Sequence, residues 1–144
     1  NLIQPNINNI QINEAKEVIP MIDIQYTIET EQYGNKTGNR LFIPANIFRK
    51  GFTTPDLKQR VQDIHINYGY LDTDSICLQI PEGYTIESLP KTCQVTSSFG
   101  SFSSSLMIKD KEICIIHRLL MHRGIYPKEI YKDFLEFRKQ IAAQ

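Results

Sequence analysis

The alternation of apolar and polar positions is clearest in the last third of the chain, where it predicts two strands over residues 101–121. In the second strand, apolar side chains occupy both faces: Ile113, Ile115 and Leu119 on one side, Ile116 and Leu120 on the other. A strand with two apolar faces is typical of the centre of a sheet that is covered on both sides. We therefore expect this strand to be central and doubly covered.

The spacing of apolar residues then changes to that of a helix, predicted over residues 127–143. Pro127 suits a first helical turn, and Glu129 lies near the positive end of the helix dipole. Apolar residues recur on one helical face at Ile130, Phe134, Phe137 and Ile141. The pattern predicts a helix that docks through this face.

Earlier in the chain, residues 22–28 alternate between apolar and polar side chains, as in a half-buried strand. A polar turn containing Gly34 and Gly38 follows, and residues 40–48 are predicted to return as the next strand. Residues 1–17, rich in Asn and Gln, are predicted to be a linker or an edge strand. The remainder, residues 18–144, is predicted to be one domain.

The middle of the chain is predicted to form several short strands separated by turn residues. Strands are predicted over residues 64–70, 76–80 and 84–89, with a turn at residues 72–75 and strands on both sides of the Gly- and Ser-rich bend near Gly100. Regularly spaced short strands and one terminal helix predict a mostly β fold, an antiparallel β-sandwich with a single C-terminal α-helix.

Composition excludes some classes of function. The 144 residues are enough for one self-sufficient core, and 16 basic residues balance 16 acidic ones. We therefore expect no nucleic-acid partner. No apolar run is long enough to span a bilayer, so we expect no direct membrane insertion. Because the first residue is Asn1, we expect the chain to be a segment of a longer polypeptide.

The cysteines and histidines do not match a known catalytic or metal-binding spacing. Cys77, Cys93 and Cys114 are expected to be three buried thiols, and one disulfide with a leftover thiol is the alternative for an exported protein. On one strand, His117 would face away from both Cys114 and His122, because their separations are odd. We expect no cofactor, no metal site and no catalytic residue.

Two short motifs have ordinary structural explanations. The acidic residues Asp72 and Asp74 resemble the start of a calcium loop, but the later ligand positions of an EF-hand are missing, and a capped turn accounts for them. Three tyrosines, Tyr68, Tyr70 and Tyr84, fit a sugar-stacking platform, or else core packing or cross-strand pairing. Core packing or cross-strand pairing is the more common use.

A colinear set of motifs resembles a known family. The motifs are Pro81-Glu82-Gly83-Tyr84, then Ile86-Glu87-Ser88-Leu89-Pro90, then Phe99-Gly100-Ser101-Phe102, His117-Arg118 and the segment from Pro127 to Phe134. In this order they resemble the C-terminal β-domain of transglutaminase-like envelope proteins of the Bacteroides group. The resemblance is strongest over residues 49–143 and extends plausibly to residue 19.

The resemblance implies an exported parent protein whose papain-like Cys-His-Asp triad lies in a central domain upstream. None of the three cysteines here matches the triad cysteine. The implied location is the periplasm or cell surface, and the implied partner is the upstream catalytic domain of the same polypeptide. Asp74-Ser75-Ile76 resembles the O-glycosylation triplet of that group, which makes Ser75 a candidate for glycosylation.

Three functions are compatible with these observations. The leading hypothesis is a non-catalytic accessory domain that packs on the transglutaminase- or protease-like domain or positions its substrate. The alternatives are a freestanding glycan- or peptide-binding module and a structural spacer. Because the alternating strands put most charge on one face and use the opposite face as core, we expect docking at the loop-rich rim, where the candidates are Arg49, Phe52, Tyr84 and Lys91.

Overall fold

The computed structural model describes residues 4–31, 33–44, 55, 57 and 60–143. The chain divides into two compact units, residues 1–47 and residues 48–144. The boundary after residue 17 that the sequence suggested stays a prediction.

The first unit contains four strands in two antiparallel pairs. Strand β1 (Asn6–Ala15) pairs with β2 (Met21–Glu29), and the short β3 (Asn35–Thr37) pairs with β4 (Arg40–Phe42). The strand predicted over residues 40–48 is confirmed over residues 40–42 as β4, which returns alongside β3, whereas the partner of β2 is β1. Residues 45–48 lie outside the described part of the chain.

The pairing of β1 with β2 follows from their isoleucines. Ile12 lies opposite Ile24 and Ile7 opposite Ile28, so the two strands present apolar side chains on the same face. Cross-strand pairs of β-branched residues stabilise a ribbon of this kind. The register shifts between Asn8 and Gln11, next to Asn9, whose φ is +55°.

The second unit is built on a four-stranded antiparallel sheet in the order β6-β9-β8-β7. The sheet consists of β6 (Tyr70–Gln79), β7 (Cys93–Ser97), β8 (Gly100–Lys109) and β9 (Glu112–Met121). Strand β9 is central, as predicted. A separate ribbon pairs β5 (Ile64–Ile66) with β10 (Gly124–Tyr126).

The chain ends in a 3-10 turn, Lys128–Ile130, and the helix α1 (Tyr131–Ala142). This confirms a mostly β fold with antiparallel sheets and a single C-terminal helix. Phe137 and Ile141 of the predicted apolar face are buried, and Ile130 and Phe134 are half-buried against the same core. Tyr131 is buried as well.

The core of this unit lies between the sheet and α1. Phe99, at 0% exposure, is at its centre, with its ring 4.7 Å from that of Tyr126 and 5.0 Å from that of Phe134. Leu119 and Met121 of β9 belong to the same cluster. The side of the sheet that carries them is called the helix face below.

The other side of the sheet is called the open face, and it is not uniformly buried. Alternation along β9 places Cys114, Ile116, Arg118 and Leu120 there, and Leu120 is 37% exposed. Cys114 is buried and Ile116 is half-buried on this side, so the prediction that β9 is covered on both faces is wrong there only towards Arg118 and Leu120.

Two further predictions are wrong. Residues 72–75 do not form a turn, because β6 runs without interruption and each of its ten residues has a partner on β9. Turn-favouring Asp and Ser are tolerated there since β6 is an edge strand with solvent at its side. Residues 84–89 form no strand, although a turn closes where the Tyr84 N–H donates to the Pro81 carbonyl.

Candidate functional site

The four residues predicted to form an interaction rim are only partly described. Arg49 and Phe52 lie outside the described residues. Tyr84 is half-buried and Lys91 is exposed, and both belong to the irregular segment before β7. The rim stays a prediction, because two of its four residues lie outside the described part of the chain.

Ser75 is exposed, as a modification site requires, but it does not lie at a turn. It occupies the middle of β6 on the open face, directly opposite Ile116. Its assignment to a turn is therefore wrong, and its glycosylation stays a prediction.

Two of the three cysteines form a disulfide. Cys77 on β6 lies directly opposite Cys114 on β9, with a Cα–Cα distance of 4.0 Å, and the two are bonded. Cys93 is a half-buried free thiol that packs against the core. The expectation of three buried thiols is wrong, and the alternative of one disulfide with a leftover thiol is what the structure has.

The disulfide lies beside a carboxylate. A donor oxygen of Glu112 and the two sulfurs lie within 4.8 Å of one another, a spacing that a metal ion can bridge. Cysteine binds metals as the thiolate, and in the disulfide both sulfurs are bonded to each other instead. The cluster in this form therefore does not fit a metal centre.

The three histidines occupy separate environments. His117 is buried on the helix face, with its ring 5.7 Å from that of Phe102. His122 is exposed beyond the end of β9, with Nδ1 3.3 Å from the Ser98 carbonyl oxygen, and His65 is exposed on β5. His117 and Cys114 point to opposite faces of β9, as predicted.

The tyrosines differ from the expectation of core packing. Tyr68 is 82% exposed and Tyr70 is also exposed at the start of β6, whereas Tyr84 is half-buried. Core packing is therefore wrong for Tyr68 and Tyr70, but Tyr70 does have the cross-strand position that was the other expectation, opposite Met121 of β9.

The open face combines apolar, hydroxyl and basic side chains. Leu71 is 51% exposed and Met107 is 54% exposed, on β6 and β8 respectively. Arg118 lies on the central strand between Thr73 of β6 and Ser103 of β8. Ser101 and Ser105 lie on either side of Ser103 along β8. Such a surface offers both apolar contact and hydrogen bonding to a partner.

The outer side of β6 forms one border of the sheet. Strand β6 pairs with β9 alone among the described strands, whereas β7, the opposite edge, has only five residues. Sequence reasoning missed this edge because it divided β6 into two strands and a turn. The signal in the sequence was that Leu71, Thr73, Ser75 and Cys77 occupy every second position, as they would on one face of a single strand that continues through the predicted turn.

The described residues include no helix that is long and apolar enough to cross a membrane.

Comparison with known proteins found no match among curated proteins and none among solved structures. A family model does match residues 39–144, which include the whole four-stranded sheet and α1. The chain belongs to the family DUF3858, a domain of unknown function.

Proposed function

We propose that this chain is a non-catalytic accessory domain that docks on another domain of the same polypeptide. The resemblance drawn from its motifs suggests that this neighbour is an upstream transglutaminase- or protease-like domain. The role of the accessory domain is to pack on the neighbour or to position its substrate. The observation that carries the proposal is the open face of the four-stranded sheet.

The open face has exposed apolar residues where a self-contained sheet would be covered. Leu120 lies on the central strand and Leu71 lies opposite it on β6, so their exposed surfaces are adjacent. Leaving apolar area in water costs roughly 25 cal/mol per Å², which a docked partner recovers. The residues on this face therefore favour docking through the sheet over docking through the loop-rich rim.

The disulfide supports an exported protein. Disulfides persist in the periplasm and at cell surfaces, whereas cytosolic thiols are usually kept reduced. The Cys77–Cys114 bond is therefore consistent with a domain that works in the periplasm or at the surface of a Gram-negative cell.

The states of the cysteines support a role without thiol chemistry. Cys77 and Cys114 are bonded to each other, and the free thiol Cys93 is half-buried against the core. A thiol nucleophile needs an accessible thiolate with a neighbouring base. Catalysis is assigned here to the neighbouring domain.

A glycan-binding module is the second candidate, and the exposed Tyr68 and Tyr70 favour it. Aromatic rings displayed to solvent can stack on sugar rings, with the phenolic hydroxyl as a hydrogen-bonding group. A structural spacer is the third candidate, and it needs neither an interaction face nor aromatic residues.

The test uses the full-length gene product and changes the open face alone. Leu120→Glu places a charge at the centre of the proposed interface, and His65→Glu places the same charge on an exposed position of β5 as the control. We expect only Leu120→Glu to separate the domains, seen as faster proteolysis between them and a lower melting temperature of the neighbouring domain.

If Leu120→Glu leaves both measurements as in wild type, docking through the open face is wrong. If the neighbouring domain also melts identically with and without this chain, the spacer function is favoured. Saturable binding of a glycan that Tyr68→Ala abolishes would favour the second candidate.

A further inference from the structure

We propose that the outer edge of β6 binds an extended, basic peptide segment as an additional strand of the sheet. Basic side chains at alternate positions of the segment face Asp72 and Asp74. The inference rests on the edge of β6 and not on the open face, so it stands or falls separately from the docking proposal.

The first step concerns where the backbone groups of β6 point. The Ile80 N–H donates to the Lys111 carbonyl at 2.7 Å, which makes Ile80 and Lys111 a hydrogen-bonded pair next to the Gln79–Glu112 pair. Hydrogen-bonded and non-hydrogen-bonded pairs alternate along an antiparallel ladder. The even-numbered residues of β6 therefore bond to β9.

The odd-numbered residues of β6 consequently direct their N–H and C=O groups away from β9. The short Cα–Cα distance of 4.0 Å between Cys77 and Cys114 agrees, because closely spaced pairs are the non-hydrogen-bonded ones. Leu71, Thr73 and Ser75 thus offer three donors and three acceptors at the edge, and no described strand pairs with them.

The second step concerns the rigidity of this edge. All ten residues of β6 are in register with β9 and the ladder has no irregularity. The Cys77–Cys114 disulfide joins the edge strand to the central strand. A long, regular edge strand is a template for pairing with another chain, and preorganisation lowers the entropic cost of binding.

The third step concerns charge. Asp72 and Asp74 are exposed neighbours on the helix-face side of β6, and Tyr70 precedes them on the same side. Neither carboxylate forms an ion pair with another described residue. Two carboxylates at alternate positions complement two basic side chains at alternate positions of an added strand.

The same charges disfavour a second copy of this chain as the occupant. Two copies of β6 paired antiparallel and near full overlap would place the carboxylates of Asp74 from both copies opposite or diagonal to each other. Like charges in such positions are destabilising. The edge is thus protected against self-association and selective for a basic segment.

In the experiment, a hexapeptide with blocked termini and the sequence Thr-Lys-Val-Lys-Val-Thr is added to the full chain. Binding is measured by amide hydrogen exchange of the protein. We expect the peptide to slow exchange at Leu71, Thr73 and Ser75 by about tenfold or more at saturation. The amides of Asp72 and Asp74 already bond to β9, so their exchange stays unchanged and serves as the internal control.

Matched peptides test the charge pattern. A peptide of the same composition with its two lysines adjacent puts them on opposite faces, and a version with glutamates reverses the charge. Both should bind about tenfold more weakly or worse. Equal binding of either peptide would overturn the proposal, and so would unchanged exchange at the three odd-numbered amides.

Variants of the protein test the residues. Asp72→Asn with Asp74→Asn should weaken binding about tenfold and flatten its dependence on salt, with the fold retained. Thr73→Pro should abolish binding, because it removes an outward N–H that β9 does not use. If Thr73→Pro unfolds the protein, the double Asn variant decides, and unchanged affinity in it would contradict the proposal.

The docking variant keeps the two proposals distinguishable. Leu120→Glu lies on the open face of the central strand, so it should leave the affinity for the hexapeptide unchanged. Peptide binding that survives this variant while the neighbouring domain separates would support both proposals. Loss of peptide binding in Leu120→Glu would mean that the peptide binds the open face, and the edge proposal would be wrong.

Discussion

Cys77 and Cys114 lie directly opposite each other on β6 and β9, and the disulfide between them joins the edge of the four-stranded sheet to its centre. Since the two residues are 37 positions apart, the bond also closes a long loop of the unfolded chain. Both cysteines lie on the open face, away from the helix-covered core. The disulfide therefore stabilises the part of the sheet to which α1 does not contribute.

Removing this bond should destabilise the protein substantially. For a loop of this length, the chain-entropy model assigns roughly 4 kcal/mol to the cross-link. We expect the double variant Cys77→Ser, Cys114→Ser to lose about this much free energy of unfolding in a denaturant titration. Cys93→Ser, the matched control without a bond to break, should cost roughly 1 kcal/mol.

Thiol counting checks the same bond chemically. The denatured, unreduced protein should show one reactive thiol, that of Cys93, and three after reduction. Three thiols before reduction would show that the bond does not form in the protein as purified.

The docking of α1 depends on a small number of fully buried side chains. Ile141 is almost completely buried in the core, so Ile141→Ala should cost about 2–5 kcal/mol through lost burial and a residual cavity. Lys132→Ala, on the exposed side of the same helix, should change the stability by less than about 0.5 kcal/mol. Equal melting temperatures for the two variants would contradict the docking of the helix.

Gly100 should not tolerate a side chain. Its φ is +151°, and a Cβ built there would overlap the carbonyl oxygen of Leu120. Because that oxygen belongs to the backbone of the central strand, it cannot move aside cheaply, and Gly100→Ala should cost several kcal/mol. Gly38, with φ +59° and open space around it, is the control, and Gly38→Ala should cost about 1 kcal/mol. Similar losses in both variants would show that backbone conformation alone, and not the contact with Leu120, limits position 100.

Tyr33 in the first unit carries a buried hydroxyl that makes no hydrogen bond to the described residues. An unsatisfied buried hydroxyl is costly, so Tyr33→Phe should leave the stability unchanged or raise it by about 1 kcal/mol. A loss of more than about 1 kcal/mol would mean that the hydroxyl has a partner.

The same burial raises the pKa of Tyr33 above its ordinary value of 10.0, because desolvation disfavours the phenolate. Ionisation of Tyr33 is therefore less favourable in the folded protein than in the unfolded chain, so this group does not reduce the free energy of unfolding below pH 10 but does so as the pH rises through the raised pKa. The difference between the ultraviolet titration curves of wild type and Tyr33→Phe should show a single phenol that ionises above pH 10.

The elements that depend on local pattern were predictable. The apolar spacing that ends at Ile141 predicted α1, and the Gly- and Ser-rich bend near Gly100 predicted the turn between β7 and β8. Helical periodicity and turn chemistry involve residues within a few positions of one another, so they can be read directly from the chain. The motifs that resembled a family also lie within the matched range.

Features that depend on pairing between distant residues were not predictable in this way. The pattern at Asp72–Ser75 favoured a turn, yet the ladder with β9 keeps β6 extended through it. Partner and register decide whether Cys77 meets Cys114, and neither is encoded in the spacing of the cysteines. Exposed Tyr68 shows the same limit, because alternation with its neighbours predicted a strand, whereas Tyr68 lies in a bend between β5 and β6.

The sequence by itself determined the mostly β character, the C-terminal helix with its docking face, and the central position of β9. These follow from periodicity, since burial of one face selects the secondary structure that presents it. The tertiary structure decided that α1 covers one side of the sheet, that Leu120 and Arg118 remain exposed on the other, and that the outer edge of β6 presents its odd-numbered amides. These properties depend on long-range contacts, whose free energy is set by the packed arrangement as a whole and not by any short stretch of the chain.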